Sequence, residues 1–176
     1  MDHVKNAIRA VVDFPKPGIV FRDITPVLAD PQLLREVVEA LAAPYRDQGV
    51  ALVVGTEARG FILAPAVALR LGAGFVPIRK AGKLPWETYQ TTYELEYGTD
   101  TLEMHRDAIA PGTRVLMVDD LLATGGTMEA CCQMVEKAGG EVVACVFMVE
   151  LSFLGGRQRL APRRVVSLVD FASENE

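Results

Sequence analysis

Two adjacent aspartates followed by a glycine-rich turn are the densest chemical signal in the chain. In Val115–Met128, VLMVDDLLATGGTM, a buried apolar run delivers Asp119 and Asp120 to a sheet edge, and the residues from Asp120 to Thr127 turn the chain into a helix. Gly125 and Gly126 let the backbone come close to a ligand. The amides of Ala123, Thr124, Gly125, Gly126 and Thr127 then converge at a helix N-terminus, which holds a phosphate monoester without a basic residue. The hydroxyls of Thr124 and Thr127 add two donors. Paired carboxylates beside that nest repel an anion unless the ligand brings donors or a cation. A sugar whose vicinal hydroxyls lie a short carbon chain from its phosphate brings them, so ribose 5-phosphate fits. The competing interpretation is an ordinary helix cap after a strand. Other phosphate motifs fit less well: there is no G-x-G-x-x-G, and Gly55 to Gly60 has Walker-like spacing but continues with Phe61 and Ile62.

A second constellation is Glu57, Ala58 and Arg59, between an expected strand and an expected helix. Their backbone and the Arg59 guanidinium can face a second anion, which Arg binds in a bidentate way. A surface Glu-Arg pair opening a helix is the alternative. Arg79, Lys80 and Lys83 are the remaining local cations, and a solvated basic turn is the alternative for them. His3 and His105 have no motif around them.

Holding these residues together requires alternating strands and helices. Apolar, β-branched runs at Ala51 to Val54, Gly74 to Ile78, Arg114 to Val118, Val142 to Val149 and Val165 to Val169 predict an α/β fold: a mostly parallel twisted sheet with helices on both faces. The runs end on Gly55, Arg79, Asp119, Glu150 and Asp170, where α/β sheets place ligands. Helices are expected from Asp30 and Pro31 through Leu41, from Gly60 to Leu71, from Gly126 to Ala138, and over Ser152 to Leu160. Two stretches break the alternation. Asp13 to Pro31 holds Pro15, Pro17, Gly18 and Pro26 yet keeps Ile19, Val20, Phe21 and Ile24, so it reads as an ordered cap. Ala81 to Asp107 reads as a mobile loop feeding a β-hairpin, through the alternation of Thr92 to Tyr97.

The chain has 176 residues, half of them hydrophobic, which suits a single domain spanning 1–176. No apolar run approaches the roughly 20 residues of a membrane span. The first residues lack an export signal, and a cytoplasmic location is expected. Cys131, Cys132 and Cys145 lack metal-ligand spacing and read as reduced thiols. A formal net charge of -5 argues against nucleic acid or an anionic membrane as a partner. An anionic ligand must be held locally.

With those residues in view, the sequence resembles the purine phosphoribosyltransferases. VDDLLATGGT is similar to their motif for 5-phosphoribosyl-1-pyrophosphate (PRPP). FPKPGIVFRDITPVL at Phe14 to Leu28, GTEARGF at Gly55 to Phe61 and IRKAGKLP at Ile78 to Pro85 narrow the resemblance to the adenine phosphoribosyltransferases. LEYG at Leu95 to Gly98 and VELSFLGGR at Val149 to Arg157 extend it over nearly the whole chain. The resemblance implies a type I phosphoribosyltransferase fold and formation of AMP and pyrophosphate from adenine and PRPP. Asp119 and Asp120 would hold the ribose hydroxyls and Ala123 to Thr127 the 5′-phosphate. Glu57, Ala58, Arg59, Lys83 and Tyr97 would serve pyrophosphate, with a non-proline cis peptide between Glu57 and Ala58. Glu96, on the loop at 81–107, is the implied catalytic, proton-handling group, although Glu94 and Glu96 could equally form a solvent face. Residues 1–30 would form a hood for the base, with the Val20 carbonyl accepting from adenine N6 and the Arg22 amide donating to N1. Phe21 would stack, and Leu121 and Leu154 would wall the other side; for Phe21 a simple core role is the alternative. Mg2+ would arrive largely with substrate and water rather than on a protein ligand cluster, and a homodimer is implied.

Overall fold

The computed structural model describes residues 1–94, 99–174 and 176; Glu96 and Tyr97 therefore lie outside the described residues. The first elements are α1 (Asp2–Ala7), two short strands β1 (Arg9–Val12) and β2 (Val20–Asp23), α2 (Thr25–Ala29) and α3 (Pro31–Ala42). There follow β3 (Leu52–Thr56), α4 (Gly60–Leu71), β4 (Gly74–Lys80), β5 (Thr88–Glu94), β6 (Thr99–His105), β7 (Arg114–Leu122) and α5 (Gly126–Lys137). The remainder is β8 (Glu141–Leu151), a 3-10 turn (Ser152–Leu154), α6 (Gly156–Arg159) and β9 (Val165–Phe171).

Seven strands form one sheet in the order β5-β6-β4-β3-β7-β8-β9. From β4 to β9 neighbouring strands run parallel, and the β5/β6 hairpin joins the β4 edge antiparallel. Both faces of the parallel part are covered. Leu116 and Val118 of β7 enter a core with α1, α3 and α4, whereas Val115 and Met117 enter a second core with α5. Strands buried on two faces must be apolar at every position, which is why the runs were readable as continuous hydrophobic stretches. The three cysteines are buried free thiols. Among the described residues no helix is long and apolar enough to cross a membrane.

The structure departs from the sequence reading at several elements; β4, expected to end at Ile78, runs on to Lys80. The strand expected to end at Val118 continues to Leu122, because Asp119, Leu121 and Leu122 pair with Phe147, Val149 and Glu150 of β8. The helix expected over Ser152 to Leu160 is interrupted at Gly155, whose φ of 71° cannot propagate a right-handed helix. The cap contains an antiparallel pair, β1/β2, and a helix α1 that the sequence did not announce.

The start of α3 illustrates how local chemistry fixes an element. Asp30 Oδ1 accepts from the amides of Gln32 and Leu33 at 2.8 and 3.0 Å, and Pro31 occupies the first helical position. Replacing Asp30 with Ala is expected to lower the unfolding free energy by about 1 kcal/mol, read as a shifted urea midpoint at constant slope.

Candidate active site

The C-terminal ends of β3, β4 and β7 open on a cleft of about 470 Å³. Its lining includes Glu57, Ala58 and Arg59, Asp119 and Asp120, Leu121, and the whole Ala123–Thr127 loop. Residues about 65 positions apart in the chain meet there because β3 and β7 are adjacent and parallel, with Gly55 opposite Val118.

Asp120 is only 3% exposed, whereas Asp119 is partly buried. Asp119 Oδ1 accepts from the Asp120 amide at 2.9 Å. It also presses on the N-terminus of α4: a Cβ on Gly60 would lie 2.8 Å from that oxygen, so the position admits no side chain without displacing the carboxylate. Burial raises both carboxyls above the usual carboxylate range. At Asp119 the neighbouring Asp120 charge adds to this, and at Asp120 the Arg59 charge only partly offsets it. Arg59 Nε approaches Asp120 Oδ2 to 3.0 Å, but without hydrogen-bond alignment, so Oδ2 is left without a hydrogen-bond partner among the described residues. A buried acceptor in that state favours a ligand that brings a donor or a cation.

Within the Ala123–Thr127 segment Gly125, at φ 82°, caps α5, and the first intrahelical bond runs from the Glu129 amide to the Gly125 carbonyl. The amides before Glu129 have no helical acceptor, which leaves them available to an anion. The Glu57–Ala58 peptide is cis. The Glu57 side chain binds Lys83 and Arg79, the latter at 3.2 Å. The Lys83 hydrogen bond, with Arg79 and the Lys80 amide, holds the Glu57 carboxyl down at about 2.

Not every residue singled out in the sequence reaches this cleft. Lys83 is absent from its lining and is tied to Glu57; the lysine that lines it, beside Arg59, is Lys80, paired with Asp100 at 3.1 Å. Phe21 borders the site through Arg59, whose guanidinium carbon is 5.4 Å from the ring centroid. Val20, Arg22 and Leu154 are outside the lining. The Arg22 side chain donates to the Glu174 carbonyl at 2.8 Å and stacks on Phe171, so only its backbone is free to serve a ligand. The Val20 amide donates to Glu174 Oε1 at 3.0 Å, away from β1. Backbone groups of one residue in an antiparallel pair point to the same edge, and residues two apart share it. Val20 and Arg22 thus present a carbonyl and an amide along one edge of β2. Sequence reasoning missed Thr56, Tyr93, Asp100, Met128 and Phe147 as lining residues. Tyr93 and Asp100 come together through the hairpin register, which pairs them directly.

A larger apolar groove of about 1090 Å³ lies between α3 and α4, lined by residues such as Leu34, Val38, Ala66 and Leu69. It holds none of the residues of the carboxylate cleft, and the convergent polar groups expected of a small-molecule site are in the smaller cleft.

The phosphoribosyl transferase domain family matches residues 24–171. Adenine phosphoribosyltransferase of Solibacter usitatus is 59% identical over 97% of this chain and 99% of its own length. The crystal structure of adenine phosphoribosyltransferase from Rhodothermus marinus superposes with a TM-score of 0.91 at 57% identity, covering 97% of each chain. The Saccharomyces cerevisiae enzyme, solved with adenine and an imino-altritol bisphosphate, gives a TM-score of 0.90 at 40% identity, covering 95% of this chain and 97% of its own.

The depressed Glu57 carboxyl has a direct consequence for pH. Its contribution to stability is fully present above the ordinary value of 4.5 and is lost as pH falls through about 2. A carboxyl-carbon NMR titration of the ligand-free protein is expected to place the Glu57 midpoint near 2, and a midpoint above 4 would contradict the ties to Lys83 and Arg79.

Proposed function

Because the chain belongs to the phosphoribosyl transferase family, in its adenine phosphoribosyltransferase branch, we propose a residue-level account of the reaction it carries out, adenine plus PRPP giving AMP plus pyrophosphate. The observation that carries the account is the meeting of Asp119, Asp120, the Ala123–Thr127 loop and Glu57–Arg59 around one cleft.

Asp119 and Asp120 take the ribose hydroxyls, and the loop amides with Thr124 and Thr127 take the 5′-phosphate. Pyrophosphate lies toward Glu57, Ala58 and Arg59. For this Arg59 exchanges Asp120 for pyrophosphate oxygens, and Lys83 leaves Glu57 to join it. Donor groups fixed by a folded backbone stabilise the departing anion without reorganising, which favours the transition state over bound substrate. The C1–oxygen bond to pyrophosphate breaks through an oxocarbenium-like state while adenine N9 bonds to C1 and loses its proton. Glu96 handles that proton and Tyr97 contacts pyrophosphate, both assigned by the likeness of LEYG to the family. Within residues 81–107, the β5/β6 hairpin, whose Tyr93 and Asp100 line the cleft, serves to cover the sugar and exclude water.

Residues 1–30 form the hood over the base. The shared edge of Val20 and Arg22 supports acceptance from N6 by the Val20 carbonyl and donation to N1 by the Arg22 amide. Phe21 stacks, with Leu121 and Leu154 opposite. A 6-oxopurine would set its carbonyl against that of Val20.

Magnesium fits this donor set. Asp119 and Asp120 offer hard oxygens, Asp120 Oδ2 lacks a hydrogen-bond partner, and among the described residues no group of three His, Cys, Asp or Glu could cage an ion. Asp119 and Asp120 would face an ion that brings most of its oxygens with PRPP and water, and the ion would supply positive charge to the substrate. A homodimer and a cytoplasmic location complete the reading. A second copy would cover the exposed Ile62 and Leu69 on α4, the latter 83% exposed.

Incubated with PRPP, magnesium and one purine at a time, the protein is expected to form AMP with adenine, with kcat/KM for hypoxanthine lower by roughly 10⁴-fold. Comparable formation of IMP would overturn the hood assignment. Glu96→Gln is expected to reduce kcat by about 10²-fold or more while leaving PRPP affinity near that of the parent. Parent-like turnover would remove Glu96 from the mechanism.

A further inference from the structure

The phosphate loop leans on a surface that is itself tied to the sheet. Gly156, the first residue of α6, lies so close behind the loop that a Cβ there would be 2.2 Å from the Ala123 carbonyl oxygen and 2.9 Å from Leu122 Cδ1. From the other side, a Cβ on Gly125 would be 2.8 Å from the Gly156 carbonyl oxygen. Arg159, also on α6, sits 3.2 Å from where a Gly126 Cβ would be and reaches Glu129 of α5 at 2.6 Å. The back of the nest is thus set by where α6 sits.

α6 is a single turn and has little intrinsic stability of its own. Arg157 fixes its position. Nε donates to Glu150 Oε1 at 3.0 Å, Nη2 to Glu150 Oε2, Nη1 to the Val165 carbonyl at 2.7 Å, and Nη2 also reaches Ser167 Oγ at 3.2 Å. Ser167 Oγ in turn donates to Glu150 Oε2. The Glu150 residue is 4% exposed at the end of β8, and Val165 and Ser167 belong to β9. One planar guanidinium therefore ties α6 to two strands at once, a geometry that Lys cannot reproduce. None of these side chains lines the cleft.

We propose that Arg157 and Glu150, with Ser167, are positioning residues that hold Gly156 against the back of the Ala123–Thr127 loop and so set its affinity for a 5′-phosphate. The proposal rests on the assignment of that loop to the 5′-phosphate. It acts on one end of the substrate only, because the pyrophosphate end is built on the β3–α4 segment, and it predicts a selective defect.

The test compares AMP and inorganic pyrophosphate binding by calorimetry in the parent, Arg157→Lys, Glu150→Gln, Ser167→Ala and Gly156→Ala. Arg157→Lys and Gly156→Ala are expected to weaken AMP by about tenfold or more, since small displacements of a preorganised site have large effects. Pyrophosphate affinity stays at the parent value. Glu150→Gln and Ser167→Ala, nearly isosteric, show smaller losses of the same selectivity and carry the test if either larger change prevents folding. Parent-like AMP binding across the series, or equal loss of AMP and pyrophosphate, overturns the proposal. Failure of the parent to bind AMP would instead strike the assignment of the loop itself.

Discussion

Everything in the site follows from two carboxylates at the end of a strand that is buried on both faces. Removing Asp119 and Asp120 from water raises their affinity for protons, and local backbone amides together with an arginine 3.0 Å away, without hydrogen-bond alignment, only partly compensate. The arrangement is unsatisfied until something arrives with hydroxyl donors or positive charge. In the proposed reading a ribose diol, with an accompanying cation, would supply both, and its 5′-phosphate would lie over the amides at the start of α5.

The same constraint explains how an acidic chain, of formal net charge -5, handles a polyanionic substrate. Positive charge is supplied locally and is already engaged: Arg59 beside Asp120, Lys83 and Arg79 on Glu57, Lys80 on Asp100. Each cation is held near the cleft by an acid that can release it to a more highly charged ligand.

Much of this was legible in the residues. The five parallel strands were visible because burial on both faces demands unbroken apolar runs. The Asp119–Thr127 segment was visible because adjacent acids before TGGT have few structural uses. What stayed hidden depends on neighbours far along the chain. β7 outruns its apolar stretch because β8 pairs with Asp119, Leu121 and Leu122, an effect no local propensity encodes. Lys80 replaces Lys83 in the cleft lining because β4 extends two residues beyond Ile78 and Glu57 captures Lys83. The α1–β1–β2 arrangement was hidden because its elements are only four to six residues long, too short to show a period. Phe21 reads as core or as stacking face until Arg59 is seen between its ring and Asp120. Glu150 and Arg157 lie within the VELSFLGGR segment, but their tie to each other and to Ser167 is visible only once β8 and β9 stand side by side.

The most direct examination of the central claim is an experimental structure with AMP bound. The account requires the phosphate oxygens to accept hydrogen bonds from the Ala123–Thr127 amides, and both ribose hydroxyls to donate to Asp119 and Asp120. A nucleotide whose phosphate lies elsewhere, or whose diol faces away from the two aspartates, would contradict it.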